Sequence, residues 1–232
     1  MKHVFFLLVV ILLTACSSEQ QQSSALAVAN IWGAENFKVE TSGKEIIKGE
    51  NHSVIILTLE NLKRVAADYP KNNITSISAL HFIQNLAESE YADYDDIKII
   101  VKNNAEQFEK EYKISEIISA KKLLKIVDQF FQKIKNSDFD NLNYFFDTNH
   151  VSDSSISKLK QLIYKVDSAE GKPLKMTIAG FDFKTVGAEK KPVLITHTNA
   201  GYTKSYIDYT VVLNISDKKI IHFGINEKGV GY

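Results

Sequence analysis

The hydrophobic period of the chain changes at Pro173, and that change limits the folds open to it more than any other feature. Over the preceding sixty or so residues, apolar side chains recur at helical spacing. Ala120, Leu124, Val127, Phe131 and Ile134 mark one face of a long helix that Ser115 is placed to cap. Ser137 or Asp138 is placed to cap a short helix through Leu142 and Phe145-Phe146, and Ser152 a third with Ile156, Leu159, Ile163 and Val166 inward. After Pro173 the period is two. Leu174, Met176 and Ile178 alternate, Gly180 intervenes, and Phe181 and Phe183 continue in the opposite phase, as a β-bulge at a bend produces. Residues 193–199 and 202–213 flank an expected tight turn at Ala200-Gly201, which sets His197 opposite Lys204 and Tyr206 opposite Ile195. A three-residue connection, Ser216-Asp217-Lys218, then sets Leu213 opposite Ile221, Val211 opposite Phe223, Tyr209 opposite Ile225 and His222 opposite Val212, so that apolar meets apolar. Three helices followed by a curved antiparallel sheet make an α+β domain over residues 115–232.

A smaller unit precedes it over residues 31–114. Phe37, Val39 and Thr41 alternate, and residues 54–59 form a denser apolar run expected to be buried on both faces. Gly43, Gly49 and Asn51 mark turns between them. After the loop at residues 68–73, Ile77, Leu80, Ile83, Leu86 and Ala87 form a helical stripe, with His81, Gln84, Asn85 and Glu88 outside it. Ile97, Ile99 and Val101, then Phe108, Tyr112 and Ile114, read as a hairpin across Asn103-Asn104. The order is β-β-α-β-β, and the whole chain is α+β.

The N-terminus reads as an export signal over residues 1–15: cationic Lys2, an apolar run over residues 4–13, and the small pair Thr14-Ala15. The run is about half of the ~20 residues a membrane-spanning helix needs. Leu13-Thr14-Ala15-Cys16 resembles the lipobox of bacterial lipoproteins. That resemblance implies cleavage before Cys16, lipid attachment at Cys16 and a membrane anchor; two or three acyl chains on one residue hold firmly where one does not. Residues 17–24, rich in serine and glutamine, read as a polar tether that continues to residue 30. Ser17 after the cysteine, rather than aspartate, looks like outer-membrane delivery.

The sequence has 28 basic and 28 acidic residues, and loss of residues 1–15 removes only Lys2 among the charged ones. Such a balance gives no electrostatic reason to expect a nucleic-acid partner. With Cys16 acylated no thiol remains, so disulfides, thiolate chemistry and cysteine metal sites are excluded. Residues 120–226, with Leu124-Lys125-Ile126-Val127-Asp128-Gln129-Phe130-Phe131 opening the first helix and Ser137-Asp138-Phe139-Asp140 before the second, resemble the nuclear transport factor two-like (cystatin-like) superfamily. The resemblance implies a sheet wrapped around a helix to form a cone. Enzymes of that superfamily line the cone with Asp, His or Tyr, and this half offers Asp182, His197, Tyr206, Asp208, Tyr209 and His222 without a marked catalytic spacing. Tyr209 shares the face of Ile207, Val211 and Leu213 and is expected in the core. His197, Tyr206 and His222 fall on the other face, a candidate partner surface centred on Tyr206 because tyrosine is enriched at interfaces.

No histidine sits with a second ligand at a metal spacing, and no nucleotide or phosphate loop occurs, so neither metal nor cofactor is expected. Glu88, Glu90, Asp93, Asp95 and Asp96 form an acidic stretch that lacks the glycine-containing calcium loop. These features lead to a membrane-anchored, non-catalytic binding or accessory module with an envelope protein as partner. The alternatives are a hydrolase or isomerase with a pocket inside the cone, and an immunity lipoprotein.

Overall fold

In the computed structural model, which describes residues 17–47, 50–203 and 205–226, the chain begins with helix α1 (Glu19–Trp32). The tether expected over residues 16–30 is, from Glu19 on, a docked helix instead. Ser18 is its N-cap: the Ser18 hydroxyl accepts from the Gln21 N–H, and the Gln21 side chain accepts from the Ser18 N–H, both at 3.1 Å. Gln21, Ser24, Ala25, Val28 and Ala29 are buried, and Ser24 Oγ donates to the Phe82 carbonyl at 2.7 Å. Polar composition alone suggested a linker, but the buried polar side chains have partners in the fold. Gly33, at φ 64°, ends the helix in the left-handed conformation that glycine adopts freely.

The first sheet holds β1 (Ala34–Ile47), β2 (Glu50–Leu62), β3 (Asp96–Asn103) and β4 (Glu106–Lys113), in the order β1-β2-β3-β4. Both strands of the opening pair run further than the glycines at 43 and 49 suggested, with a register shift between Ser42 and Glu45. β2 and β3 are parallel, so helix α2 (Lys71–Gln84) is the crossover between them. The β3–β4 hairpin sets Ile97 opposite Tyr112 and Val101 opposite Phe108, as the alternation requires. Ile55, Leu57 and Leu59 of β2 are fully buried, and on its other face Val54 and Thr58 are buried while Ile56 is half-buried.

Helix α2 is not the amphipathic surface helix its stripe suggested. Residues 73–83 are buried except for His81, because α1, the first sheet, helix α3 (Ile114–Lys135) and strand β5 (Lys175–Val186) surround it. Its hydroxyls tie three of those neighbours: Thr75 Oγ1 to the Tyr112 hydroxyl at 2.8 Å, Ser76 Oγ to the Phe181 N–H at 3.1 Å, and Ser78 Oγ to Trp32 Nε1 at 2.8 Å.

The second half contains α3 (Ile114–Lys135), a 3-10 turn at Leu142–Phe145, α4 (Asp153–Glu170), β5 (Lys175–Val186), β6 (Lys191–Gly201), β7 (Tyr206–Asn214) and β8 (Lys219–Asn226). Ser152 caps α4 by accepting from the Ser155 N–H at 3.2 Å. α3 starts at Ile114, ahead of the expected cap Ser115, and Asn141 rather than Ser137 or Asp138 caps the 3-10 turn. The four strands form an antiparallel meander, β5-β6-β7-β8, with the expected bulge in β5 between Ile178 and Gly180.

The β6–β7 register differs from the expected one. Ala200-Gly201 is strand, the Tyr202 N–H donates to the Ser205 carbonyl beyond it, His197 faces Thr210 and Tyr206 faces Gly201. Ala200 is small because it is fully buried, and a Cβ on Gly201 would stand 3.4 Å from the Tyr206 ring. Each partner moves by six positions, an even number, so every side chain keeps its expected face. At the last hairpin Val211↔Phe223, Tyr209↔Ile225 and Val212↔His222 are as expected, but Leu213 faces Ile220. The Asn214 side chain accepts from the Ser216 N–H and donates to Asp217, a local turn that lengthens the connection to four residues, 215–218.

The two sheets share one continuous core. On the inner side of the second sheet, Phe130 and Phe131 of α3 meet Phe223 and Tyr209, and Phe130 also meets Phe145 and Phe146, all as tilted or edge-on aromatic pairs. At the β5 bulge the halves meet closely: Tyr69 donates to the Ala179 carbonyl at 3.1 Å, and Lys110 pairs with Asp182 at 2.9 Å. Among the described residues, no helix is long and apolar enough to cross a membrane.

Candidate functional site: a groove beside the free edge of β5

Tyr209 lies fully buried in the core, as its strand face requires, with its hydroxyl bonded to that of Tyr202 at 2.8 Å. Burial raises its pKa well above the usual phenol range. His197, Tyr206 and His222 share the outer face of the second sheet but do not converge. Along β7, Tyr206 stands six positions from Val212, the partner of His222, a separation of about 20 Å at ~3.3 Å per residue. Tyr206 is 74% exposed, whereas His197 is half-buried, with Nδ1 3.4 Å from Thr210 Oγ1. Burial lowers the His197 pKa, and the carboxylates of Asp208 and Asp182 oppose that shift. Cys16 lies outside the described residues.

The acidic stretch serves local structure. Asp95 accepts from the Ser53 N–H and hydroxyl, both at 3.0 Å, and Asp96 lies 3.2 Å from His52 Nδ1. Glu90 accepts from the Ser18 hydroxyl, and its carbonyl accepts from the Gln21 side chain, which holds the start of α1 in place. Among the described residues, no group of three or more His, Cys, Asp or Glu is placed to hold a metal ion.

A groove of about 860 Å³ opens where α2, α3 and β5 meet. Its apolar surface comes from Ile77 and Leu80 of α2, Leu124 of α3, and Met176 and Ile178 of β5. Its polar rim carries Lys121, Lys125 and Lys175 against the single carboxylate of Asp128, with Gln84, Asn85, Gln129 and Thr177 between them. Lys121 and Lys125 lie one turn apart on α3 and so project from one face. His81 also lines the groove, and burial pushes its pKa below the ordinary value, which leaves it neutral at pH 7. The groove is thus cationic at its rim and apolar within.

No local sequence signal marked this site. Leu80 and Leu124 read as core stripes, and no spacing set Lys121, Lys125 or Lys175 apart from other surface lysines. Only the crossover that buries α2 brings them together.

No protein family's sequence profile matches the chain, and none of the curated proteins matches it. A solved structure of the Bdellovibrio bacteriovorus protein Bd1075 is similar over 82% of this chain and 75% of that one, at 13% identity and a TM-score of 0.35. A similarity of that degree carries no conclusion about function.

Proposed function

We propose that this protein is a lipid-anchored, non-catalytic binding or accessory module of a bacterial cell envelope, held by acyl chains on Cys16 and facing the periplasm from the outer membrane. The observation that carries the reading is Leu13-Thr14-Ala15-Cys16 immediately ahead of a capped, docked helix. An anchor at Cys16 leaves Ser17 alone between the acylated residue and the cap Ser18. At ~3.6 Å per extended residue, that keeps the fold within about 10 Å of the headgroups.

The inner side of the second sheet supports binding over chemistry. Phe130, Phe131, Tyr209 and Phe223 pack against one another there, Asp182 and His197 belong to the outer face, and His222 borders a separate groove of about 380 Å³ beside α4. The groove at α2, α3 and β5 offers a partner both apolar surface and charge. Fractionation of Cys16→Ser tests the anchor: the variant is expected to remain unprocessed or to become soluble. A processed Cys16→Ser protein that still sediments with membranes refutes it. Cross-linking in intact envelopes tests the partner, and a protein that forms no adduct under conditions that trap known envelope complexes refutes that part.

A further inference from the structure

We propose that the groove takes an extended, acidic polypeptide segment of a partner protein, which adds as a short fifth strand to the free edge of β5. The inference rests on the binding-module reading and names the chemistry of its partner.

Strand geometry carries the argument. Successive side chains of a strand point to opposite faces. Lys175, Met176, Thr177 and Ile178 are consecutive, yet all four line the one groove. A cavity reached from both faces of a strand lies along its edge. β5 is the edge strand of the second sheet, paired with β6 alone among the described strands. Its edge therefore presents main-chain N–H and C=O groups that only another extended backbone matches in spacing.

The open edge has a defined length. Beyond Ile178 the bulge ends the regular register, the Ala179 carbonyl is taken by the Tyr69 hydroxyl, and the Phe181 N–H is taken by Ser76 Oγ. Gly180 sits against Asn73, so no strand passes there. The edge available for pairing is residues 175–178, which fits about four residues of ligand.

Charge selects the ligand. Lys121, Lys125 and Lys175 have no ion-pair partner among the described residues, whereas Lys110, outside the groove, is paired with Asp182 beyond the bulge. Alternate ligand side chains would enter the apolar surface of Leu80, Leu124 and Met176, and the others would meet the lysines. The preferred segment alternates apolar and acidic residues.

The test is selection of random octapeptides against the full-length lipidated protein in detergent, followed by amide hydrogen exchange with the synthesised winners. The expected winners alternate apolar residues with Asp or Glu and slow exchange within residues 175–178. N-methylation of the peptide at alternate residues is expected to abolish binding without touching the protein. Lys121→Glu with Lys125→Glu, both on an exposed helix face, is expected to weaken binding by about tenfold or more. Cys16→Ser leaves peptide affinity unchanged, so failure of the anchor is distinguishable from failure at the groove. Winners that bind without slowing those amides preserve the binding-module reading and overturn this one. Cationic winners, the absence of any winner, and binding that survives N-methylation also overturn it. So does slowing of the same amides without peptide, whether by self-association or by anionic lipid vesicles alone.

Discussion

Gly180→Ala perturbs the junction between the two halves at a single atom. A Cβ built at Gly180 stands 2.1 Å from Asn73 Oδ1, 2.3 Å from Asn73 Cγ and 2.7 Å from Asn73 Cα. Carbon atoms that touch prefer ~3.5–4.0 Å, so the approach to the Asn73 backbone is too close by about 1 Å. Rotation of the Asn73 side chain relieves the first two clashes. The third is with the backbone of a helix buried on nearly every side, and only separation of α2 from β5 relieves it. Overpacking of this kind costs about 1–3 kcal/mol. The separation also loosens Phe181 N–H to Ser76 and Tyr69 to the Ala179 carbonyl, bonds worth about 0.5–1.5 kcal/mol each. The expected loss is roughly 2–6 kcal/mol, or on the order of 5–15 °C in melting temperature for a chain of this size. Urea unfolding of the full-length protein followed by circular dichroism measures it. A double-mutant cycle with Asn73→Ala is expected to recover part of the loss but not all, because the clash with the helix backbone remains. A Gly180→Ala protein within about 0.5 kcal/mol of wild type, the range of an ordinary surface change, refutes the reasoning. So does complete recovery in the double variant.

Two further substitutions test local arguments. Ser18→Ala removes the cap of α1 and is expected to cost about 1 kcal/mol; hydrogen exchange should quicken across the first two turns of α1 while the sheets are unaffected. Burial raises the pKa of Asp167, whose Oδ1 has no hydrogen-bond partner among the described residues and whose Oδ2 lies 3.5 Å from Ser137 Oγ. A raised folded-state pKa means that the stability it confers is complete below the unfolded value near 3.8 and is lost as pH rises through the folded value. Asp167→Asn is therefore expected to raise the melting temperature at pH 7, with the gain shrinking toward pH 3.5; a gain equal at both values counts against the assignment.

Much of the fold was legible because hydrophobic period reports local structure faithfully. The phase flip across Gly180 located the bulge, and the pairing of Val211 with Phe223 followed from keeping apolar residues together. The failures share one cause: a polar or small residue means different things in different surroundings. Ser18 and Gln21 form a capping box that could be read three residues apart, yet the serine-rich and glutamine-rich composition around them suggested a tether. His81, Gln84 and Asn85 outside the apolar stripe made α2 look amphipathic, but its Thr75, Ser76 and Ser78 are buried and their hydroxyls are satisfied by neighbours distant in sequence. Ala200-Gly201 carried a turn signal, although its smallness answers to crowding within the sheet. The groove left no local trace, since Leu80, Leu124 and Met176 belong to elements that only the tertiary arrangement joins.

The position of α2 bears on how the chain becomes cooperative. The hydroxyl of Ser76 meets the amide of Phe181, 105 residues further on. A growing chain that has completed the first sheet still holds one flank of α2 uncovered, with apolar and hydroxyl groups awaiting a strand that has not been made. Interactions so distant in sequence slow folding, because the loop between them must close before they contribute. The first sheet thus has no finished state of its own, and the second cannot seat its bulge without the helix. A cut at residue 114 would leave Ser76 and Tyr69 without their partners on β5, so each half is expected to lose stability without the other.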